Sequence, residues 1–380
     1  MQRNQIIIVL FIVVTTAFIG VGSFLIPTTV VNPQVVVFND SSTQSSVLVE
    51  IDGLMIHSPF EYENLQLFPI IGKAGLNERD YITLSEAMKN NMVKLNETGS
   101  VNELSIDNMS SAYVFIQAGD IVKGGKQDRT LQTDLILPPK AMGVALNSFC
   151  VEQGRWRQRE GEEVGYFSVS ERNLASRDLK FASKKIGNQS QVWSKVKEQQ
   201  SKLNENVSEK YDSDINVANE ISETSYQLTL ENDKLEEYKI EYKTKLIDIL
   251  KTDGIVGIAY AVNGEVYGLD AFNNDKLFMD LSDKMIDAFI IEAISNKDDT
   301  LEFKNVTVEE VTFLLATHKN NKPTNENNQN LNEVTDYAFQ EFGPVNRYLT
   351  TDTELKGWLH LNYLVASEES SHSLDYTPRR

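Results

Sequence analysis

A single cysteine, Cys150, stands among 380 residues, so no disulfide can form within the chain and any fold must be held by its own core. Proline is missing between Pro139 and Pro323, and glycine between Gly187 and Gly254. That interval therefore contains few helix breakers. Histidine is scarce: His57, His318, His360 and His372 lie far apart, without the clustered spacing of a metal site, and one cysteine cannot build a thiolate cage. Asp120, Asp128 and Asp134 could offer oxygens to a hard cation, but their spacing does not match an EF-hand loop. Neither a metal nor a cofactor is expected. Positive charge is also short, with 36 Lys and Arg against 55 Asp and Glu and a net charge of −19. Such an acidic chain argues against nucleic acid as a general partner.

Long apolar runs are absent except at the start. Residues 6–26, IIIVLFIVVTTAFIGVGSFLI, carry no charge over 21 positions, and at about 1.5 Å per residue a helix of that length crosses a hydrocarbon layer of roughly 30 Å. Arg3 is the one charge before it. A positive amino-terminal flank keeps residues 1–5 in the cytoplasm and places the bulk of the chain outside. The expected localisation is thus the cell membrane, single-pass. A cleaved secretory signal is the alternative, since Gly20, Gly22 and Ser23 supply small residues near a cut.

Residues 27–46 read as a Thr/Val/Ser-rich linker, and residues 47–366 as one extracytoplasmic α+β domain. Short runs such as SVLVEI, LQLFPII, AYVFIQA, TDLILPP and VALNSFCVEQ, rich in branched and aromatic residues, predict a mainly antiparallel sheet. Thr83 with Glu86 marks a short helix to Asn91. From about 188 to 252, Leu235, Tyr238, Tyr242, Leu246 and Ile249 recur at helical spacing. This predicts two long amphipathic helices about a break near Tyr211–Asp214, a helical excursion from the sheet domain in which Tyr226, Tyr238 and Tyr242 are packing residues. Asn263-Gly264 predicts a type I′ hairpin, Ser282 or Asp280 a cap for the next helix, and Thr307 with Glu310 another helix start. An Asn-rich loop over 320–332, a last strand near Trp358–Leu364 and a disordered tail over 367–380 complete the reading.

The charge balance reverses in one place. Between Gly119 and Arg159 seven basic residues (Lys123, Lys126, Arg129, Lys140, Arg155, Arg157 and Arg159) stand against Asp120, Asp128, Asp134 and Glu152, a local charge of +3. This stretch holds Gly124-Gly125-Lys126-Gln127-Asp128-Arg129 and Cys150-Val151-Glu152-Gln153-Gly154-Arg155-Trp156. On these two motifs, followed by the glycine-rich hairpin and a helix, the chain resembles the ARG and rhodanese-phosphatase-superfamily-associated protein domain family, from about Tyr62 to about Tyr363. The family's name records association with ADP-ribosylglycohydrolase-type and phosphatase-type domains. The resemblance implies no agreed activity.

The residues themselves allow two readings at each motif. Gly124 and Gly125 could expose backbone N–H groups in an anion-binding nest, with Lys126 and Arg129 adding charge; they could equally form a Gly-Gly hairpin turn. The Walker spacing is absent. Arg155, Arg157 and Arg159 would share one face of a strand, where Arg155 could grip a carboxylate or phosphate and Trp156 could stack on a ring; alternatively Trp156 is core and the arginines pair with local glutamates. Cys150 could be a nucleophile with His360 or His57 as base, though a lone cysteine after Phe149 in a strand is more simply a small buried apolar residue.

These observations lead to the expectation that the two segments converge and bind an anionic small molecule or phosphorylated group. Gly124, Gly125, Lys126, Gln127, Arg129, Arg155 and Trp156 would form the site. Asp128 and Glu152 would orient the basic groups or act on a bound water, with Cys150 a further catalytic candidate. A non-catalytic cell-envelope module, meeting a protein partner through the helical excursion, is the second reading. A hydrolase of a phosphoester or ADP-ribose-like bond is the third, and analogy alone does not establish it.

Overall fold

Positive φ values at Asn263 (51°) and Gly264 (76°) make the tight turn that joins strands Ile255–Val262 and Glu265–Phe272, as the Asn-Gly pair predicts. This hairpin is the centre of the larger sheet in a computed structural model that describes residues 35–37, 47–51, 53–155, 167–317, 325–329, 332–339 and 345–366. On one side the hairpin pairs with Leu65–Gly72, and on the other with Gly357–Val365, which continues to Val345–Asp352. All these pairings are antiparallel. The two hairpin strands are buried along nearly their whole length, so their residues do not alternate between core and solvent as a one-sided sheet would.

A second, six-stranded sheet runs in the order Phe167–Leu174, Asp120–Gly124, Arg129–Leu131, Val144–Cys150, Glu103–Asn108, Val93–Glu97. A third has three strands, Leu135–Leu137, Tyr113–Ile116 and Tyr81–Thr83, and its Tyr81–Tyr113 register is parallel. The architecture is α+β with mostly antiparallel sheets.

The helices are α1 (Leu84–Lys89), α2 (Arg177–Lys180), α3 (Gln189–Tyr211), α4 (Tyr226–Leu230), α5 (Asp233–Leu246), α6 (Asp275–Ser295) and α7 (Val308–Thr317). A π-helical turn, Phe181–Ile186, continues α2. Thr83 caps α1 by accepting from Glu86 N (3.1 Å). Thr307 and Glu310 cap α7 reciprocally, at 2.8 and 3.2 Å, a full capping box. The cap of α6 differs from expectation. Asn274 accepts from Leu277 N at 2.8 Å, whereas Ser282 lies buried inside the helix and donates back to Met279 O. The helix starts directly where the preceding strand ends, and an Asn at that point outcompetes later candidates.

The helical interval contains the two long helices α3 and α5, with α3 ending at Asp212 in the left-handed region (φ 47°). It shares its core with the sheet: Val192, Leu203, Tyr226, Tyr242 and Leu246 pack in one cluster with Leu65, Tyr260, Met285 and Phe289. Three other expectations change. Phe167–Leu174 is an additional strand. Within the supposed Asn-rich loop, Asn325–Gln329 pairs antiparallel with Asn332–Phe339, because extending an existing ladder satisfies backbone groups whatever the side chains prefer. The strand holding Cys150 ends there, and the chain bends through Gly154 (φ 85°), so Arg155 is not on a strand face. Arg157, Arg159 and Trp156 lie outside the described residues, as do residues 6–26, most of the 27–46 linker and the 367–380 tail. No described helix is long and apolar enough to cross a membrane.

Candidate functional site

The Gly-Gly loop closes the hairpin between Asp120–Gly124 and Arg129–Leu131, and Arg129 lies opposite Cys150 in the next strand. That register brings the two motifs into contact. Gln127 Nε2 donates to Glu152 O (2.9 Å), Asp128 N to Glu152 Oε2 (3.1 Å), and Val151 N to Asp128 O (3.0 Å). Arg155 reaches back across the loop. Its Nε donates to Glu152 Oε1 at 2.7 Å and its Nη1 to Gly125 O at 2.9 Å; its Nη2 lies 3.3 Å from Gly124 O and 3.5 Å from Asp128 Oδ1. Gln127, Asp128 and Glu152 are fully buried. Unpaired carboxylates at such depth would cost several kcal/mol each, and the Arg155 fork offsets that cost.

Both carboxylates also hold the helical layer. Asp128 Oδ2 accepts from Ser225 Oγ (2.7 Å), the cap of α4, and Glu152 Oε1 from Ser222 Oγ (2.5 Å). Thr224 Oγ1 donates to Gln153 O at 2.7 Å, and Tyr226 N to Val151 O at 3.0 Å. Asp128 and Glu152 thus orient Arg155 and latch α4 onto the sheet.

The remaining basic groups are arranged less uniformly than the charge count implies. Lys126 is exposed. Arg129 is 2% exposed and gives Nη1 to Cys150 Sγ and Gln127 Oε1, while Nη2 sits 3.7 Å from Glu97 Oε2. Glu97 Oε1 in turn accepts from Lys126 N at 3.0 Å. Gly124 (φ 122°) and Gly125 (φ 54°) both take positive φ, and a Cβ on Gly125 would lie 2.6 Å from Glu97 Oε1 and 2.4 Å from Phe167 Cζ. Only glycine lets the backbone approach that closely.

Burial pushes the Cys150 thiol up, against the opposing effect of Arg129, which disfavours the thiolate a nucleophile needs. Neither proposed base is engaged with it through the contacts described. His360 Nδ1 is 2.7 Å from Asp134 Oδ2 and its Nε2 3.0 Å from Asp270 Oδ1, with Phe272 stacked on the ring at 4.3 Å. The His57 backbone N–H pairs with Pro69 O. Asp120, Asp128 and Asp134 each turn to a different partner: Asp120 to Lys284, Asp128 to the latch, and Asp134 to His360. Among the described residues no group of His, Cys, Asp or Glu is placed to hold a metal ion.

A second buried polar layer surrounds His360. Burial alone would raise the Asp134 and Asp270 carboxyls, yet His360 with Lys184 holds the first, and Lys180 with His360 the second, below the ordinary range. Burial opposes protonation of His360, but the two aspartates win and raise it. Farther along, Glu292 accepts from the Arg177 backbone N–H and from Tyr260 Oη at 3.3 Å, and burial pushes its carboxyl up to about 7 despite Arg177. It lines a cleft with Arg177, Lys195, Gln199 and Lys202. Sequence reasoning missed Lys284 and Glu292. Their signal was there: both fall in a helix buried nearly all round, where a charge needs a partner.

Among protein families, the chain matches the ARG and Rhodanese-Phosphatase-superfamily-associated Protein domain over residues 53–364. No curated protein and no solved structure matches it.

Proposed function

We propose, from the premise that the chain belongs to the ARG and Rhodanese-Phosphatase-superfamily-associated Protein domain family and from the loop geometry, that it is a binding domain for an anionic small molecule or phosphorylated group. The ligand site is the Gly124–Arg129 loop, with Arg155 fixing the loop's shape by bonding the Gly124 and Gly125 carbonyls and Lys126 supplying exposed charge. One observation carries this reading: the loop's backbone already holds carboxylates, Asp128 on Gly124 N and Glu97 on Lys126 N, both at 3.0 Å. Two positive-φ glycines, with the Gly124 and Lys126 N–H groups each meeting a carboxylate oxygen, form the kind of concavity that takes oxyanions. The chain's sequence adds a place for this binding: residues 6–26 would tether it to the membrane with the domain outside the cytoplasm.

Asp128 and Glu152 act here through Arg155 and the backbone, so the reading is of binding without catalysis. The test is NMR titration of the protein with inorganic phosphate, AMP and ADP-ribose, following the Gly124, Gly125 and Lys126 amides. Saturable shifts that weaken with salt and fall at least fivefold in affinity in Lys126→Ala are expected. Loop amides that stay still for all three probes up to millimolar concentration refute the reading.

A further inference from the structure

Arg129 is the largest buried side chain of the motif, at 2% exposure, yet it is not fully used. Nη1 serves Cys150 and Gln127. Its Nε has no hydrogen-bond partner, and Nη2, on the same edge of the planar guanidinium, meets Glu97 Oε2 only at 3.7 Å. A buried guanidinium edge with two poorly satisfied donors is costly. Its natural complement is a pair of oxygens on one centre, taken side-on.

A third donor converges on the same place. Lys126 N–H points at Glu97 Oε1 (3.0 Å), and Gly125 lacks the Cβ that would collide with that oxygen at 2.6 Å. Glu97 stands at the end of strand Val93–Glu97, and its side chain is 20% exposed. It can leave by rotating toward solvent, while Arg129 is fixed by the strand that carries it. Glu97 is therefore positioned as the removable member.

We propose that Glu97 is a built-in plug of an oxyanion site formed by Arg129 Nε, Arg129 Nη2 and Lys126 N–H, and that the group which displaces it is a phosphoryl rather than a carboxylate. This deepens the binding function proposed above and rests on it. Three donors match three oxygens of a tetrahedral phosphoryl group. A carboxylate offers two oxygens, and Glu97 itself leaves Nε unanswered. Lys126 Nζ, exposed at the mouth, adds charge for a dianion. The plug also explains how a deeply buried arginine can remain in an acidic protein without recruiting stray anions: the internal carboxylate competes for the place, so apparent affinity falls by the fraction of time the plug is in.

The experiment compares wild type, Glu97→Gln and, as a control for general charge, Glu265→Gln, an exposed acid on the other sheet. Inorganic phosphate and acetate are titrated into each, and the Arg129 Nε–H resonance is followed with the loop amides. Phosphate should bind Glu97→Gln at least tenfold tighter than wild type, with a downfield shift of Arg129 Nε–H, while acetate gains little and Glu265→Gln behaves as wild type. Phosphate binding to wild type that Glu97→Gln leaves unchanged, or an Nε–H that does not move, overturns the plug but leaves the loop reading standing. Equal gains for acetate and phosphate overturn the phosphoryl assignment. Silence of every variant with every probe, in proteins whose other amide shifts report a native fold, refutes both.

Discussion

Replacing Glu292 by Gln should change the pH dependence of stability more than stability itself. The carboxyl is 4% exposed and burial pushes it up to about 7 from an ordinary 4.5. A raised carboxyl means that the native state holds a proton the unfolded chain has released. Its stabilisation is complete below about 4.5 and is lost as pH rises through about 7. At about 1.4 kcal/mol per pKa unit, the whole effect is about 3 kcal/mol, and about 2.5 kcal/mol of it disappears between pH 5 and 8. Gln keeps the acceptor for the Arg177 N–H and can donate to the Tyr260 hydroxyl oxygen, so it imitates the protonated form at every pH. The assay is urea denaturation of both proteins at several pH values between 5 and 8. His360 and Asp287, also raised, titrate in both proteins and cancel in the difference. Near-equal stability at pH 5 and an advantage of about 2 kcal/mol or more for Glu292→Gln at pH 8 is the expected result. A difference that stays constant across the range would refute the assignment of the proton to Glu292.

Three further outcomes follow from the same geometry. Gly125→Ala forces a side chain into a left-handed residue (φ 54°) with its Cβ 2.4 Å from Phe167 Cζ, and should cost at least about 2 kcal/mol in urea denaturation; a loss below about 0.5 kcal/mol contradicts the close approach. His360, raised by Asp134 and Asp270, should keep both ring nitrogens protonated to higher pH in the native protein than in the urea-unfolded chain, as read by nitrogen NMR. Its contribution is complete below the unfolded value and lost as pH rises through the higher folded one, so a native ring that gives up its proton at the same or a lower pH than the unfolded chain would be inconsistent. Cys150, buried and raised, should react with iodoacetamide at pH 8 at least tenfold more slowly in the native protein than in urea, and equal rates would restore it as a reactive thiol.

Legibility was uneven for physical reasons. Local signals carried well where local chemistry decides: the Thr83 side-chain cap, the Thr307 capping box and the Asn263-Gly264 turn are each satisfied within a few residues. The antiparallel character of the sheets followed from short, branched runs, but their division into three sheets did not, because strand partners are chosen by distant residues. The convergence of GGKQDR and CVEQGR was anticipated; the fate of their charges was not. Counting charge along the chain gives +3 but cannot show that Glu97, outside the counted stretch, answers Lys126 and Arg129, or that Arg155 folds back on Glu152. Trp156 falls outside the described residues, so its stacking role stays with the ligand hypothesis.

The three aspartates of the Ala118–Pro139 stretch show what that segment does for the fold. Asp120 pairs with Lys284 of α6, Asp128 with Ser225 of α4, and Asp134 with His360 of the large sheet, where Thr350 Oγ1 adds a bond at 2.6 Å. One segment of the smaller sheets thus anchors separate layers through buried ionic or charge-assisted contacts. Removing one partner of such a contact leaves the other uncompensated, at roughly 3–5 kcal/mol for a buried ion pair. The loss should be local in hydrogen exchange as well as global in stability. Asp128→Asn should speed exchange in α4 first, Asp120→Asn in the middle of α6, and Asp134→Asn in strands Val345–Asp352 and Gly357–Val365. If all three variants instead loosened the same amides to the same degree, the aspartates would be supporting a common core rather than joining distinct layers, and the role of the segment as a hub would fail.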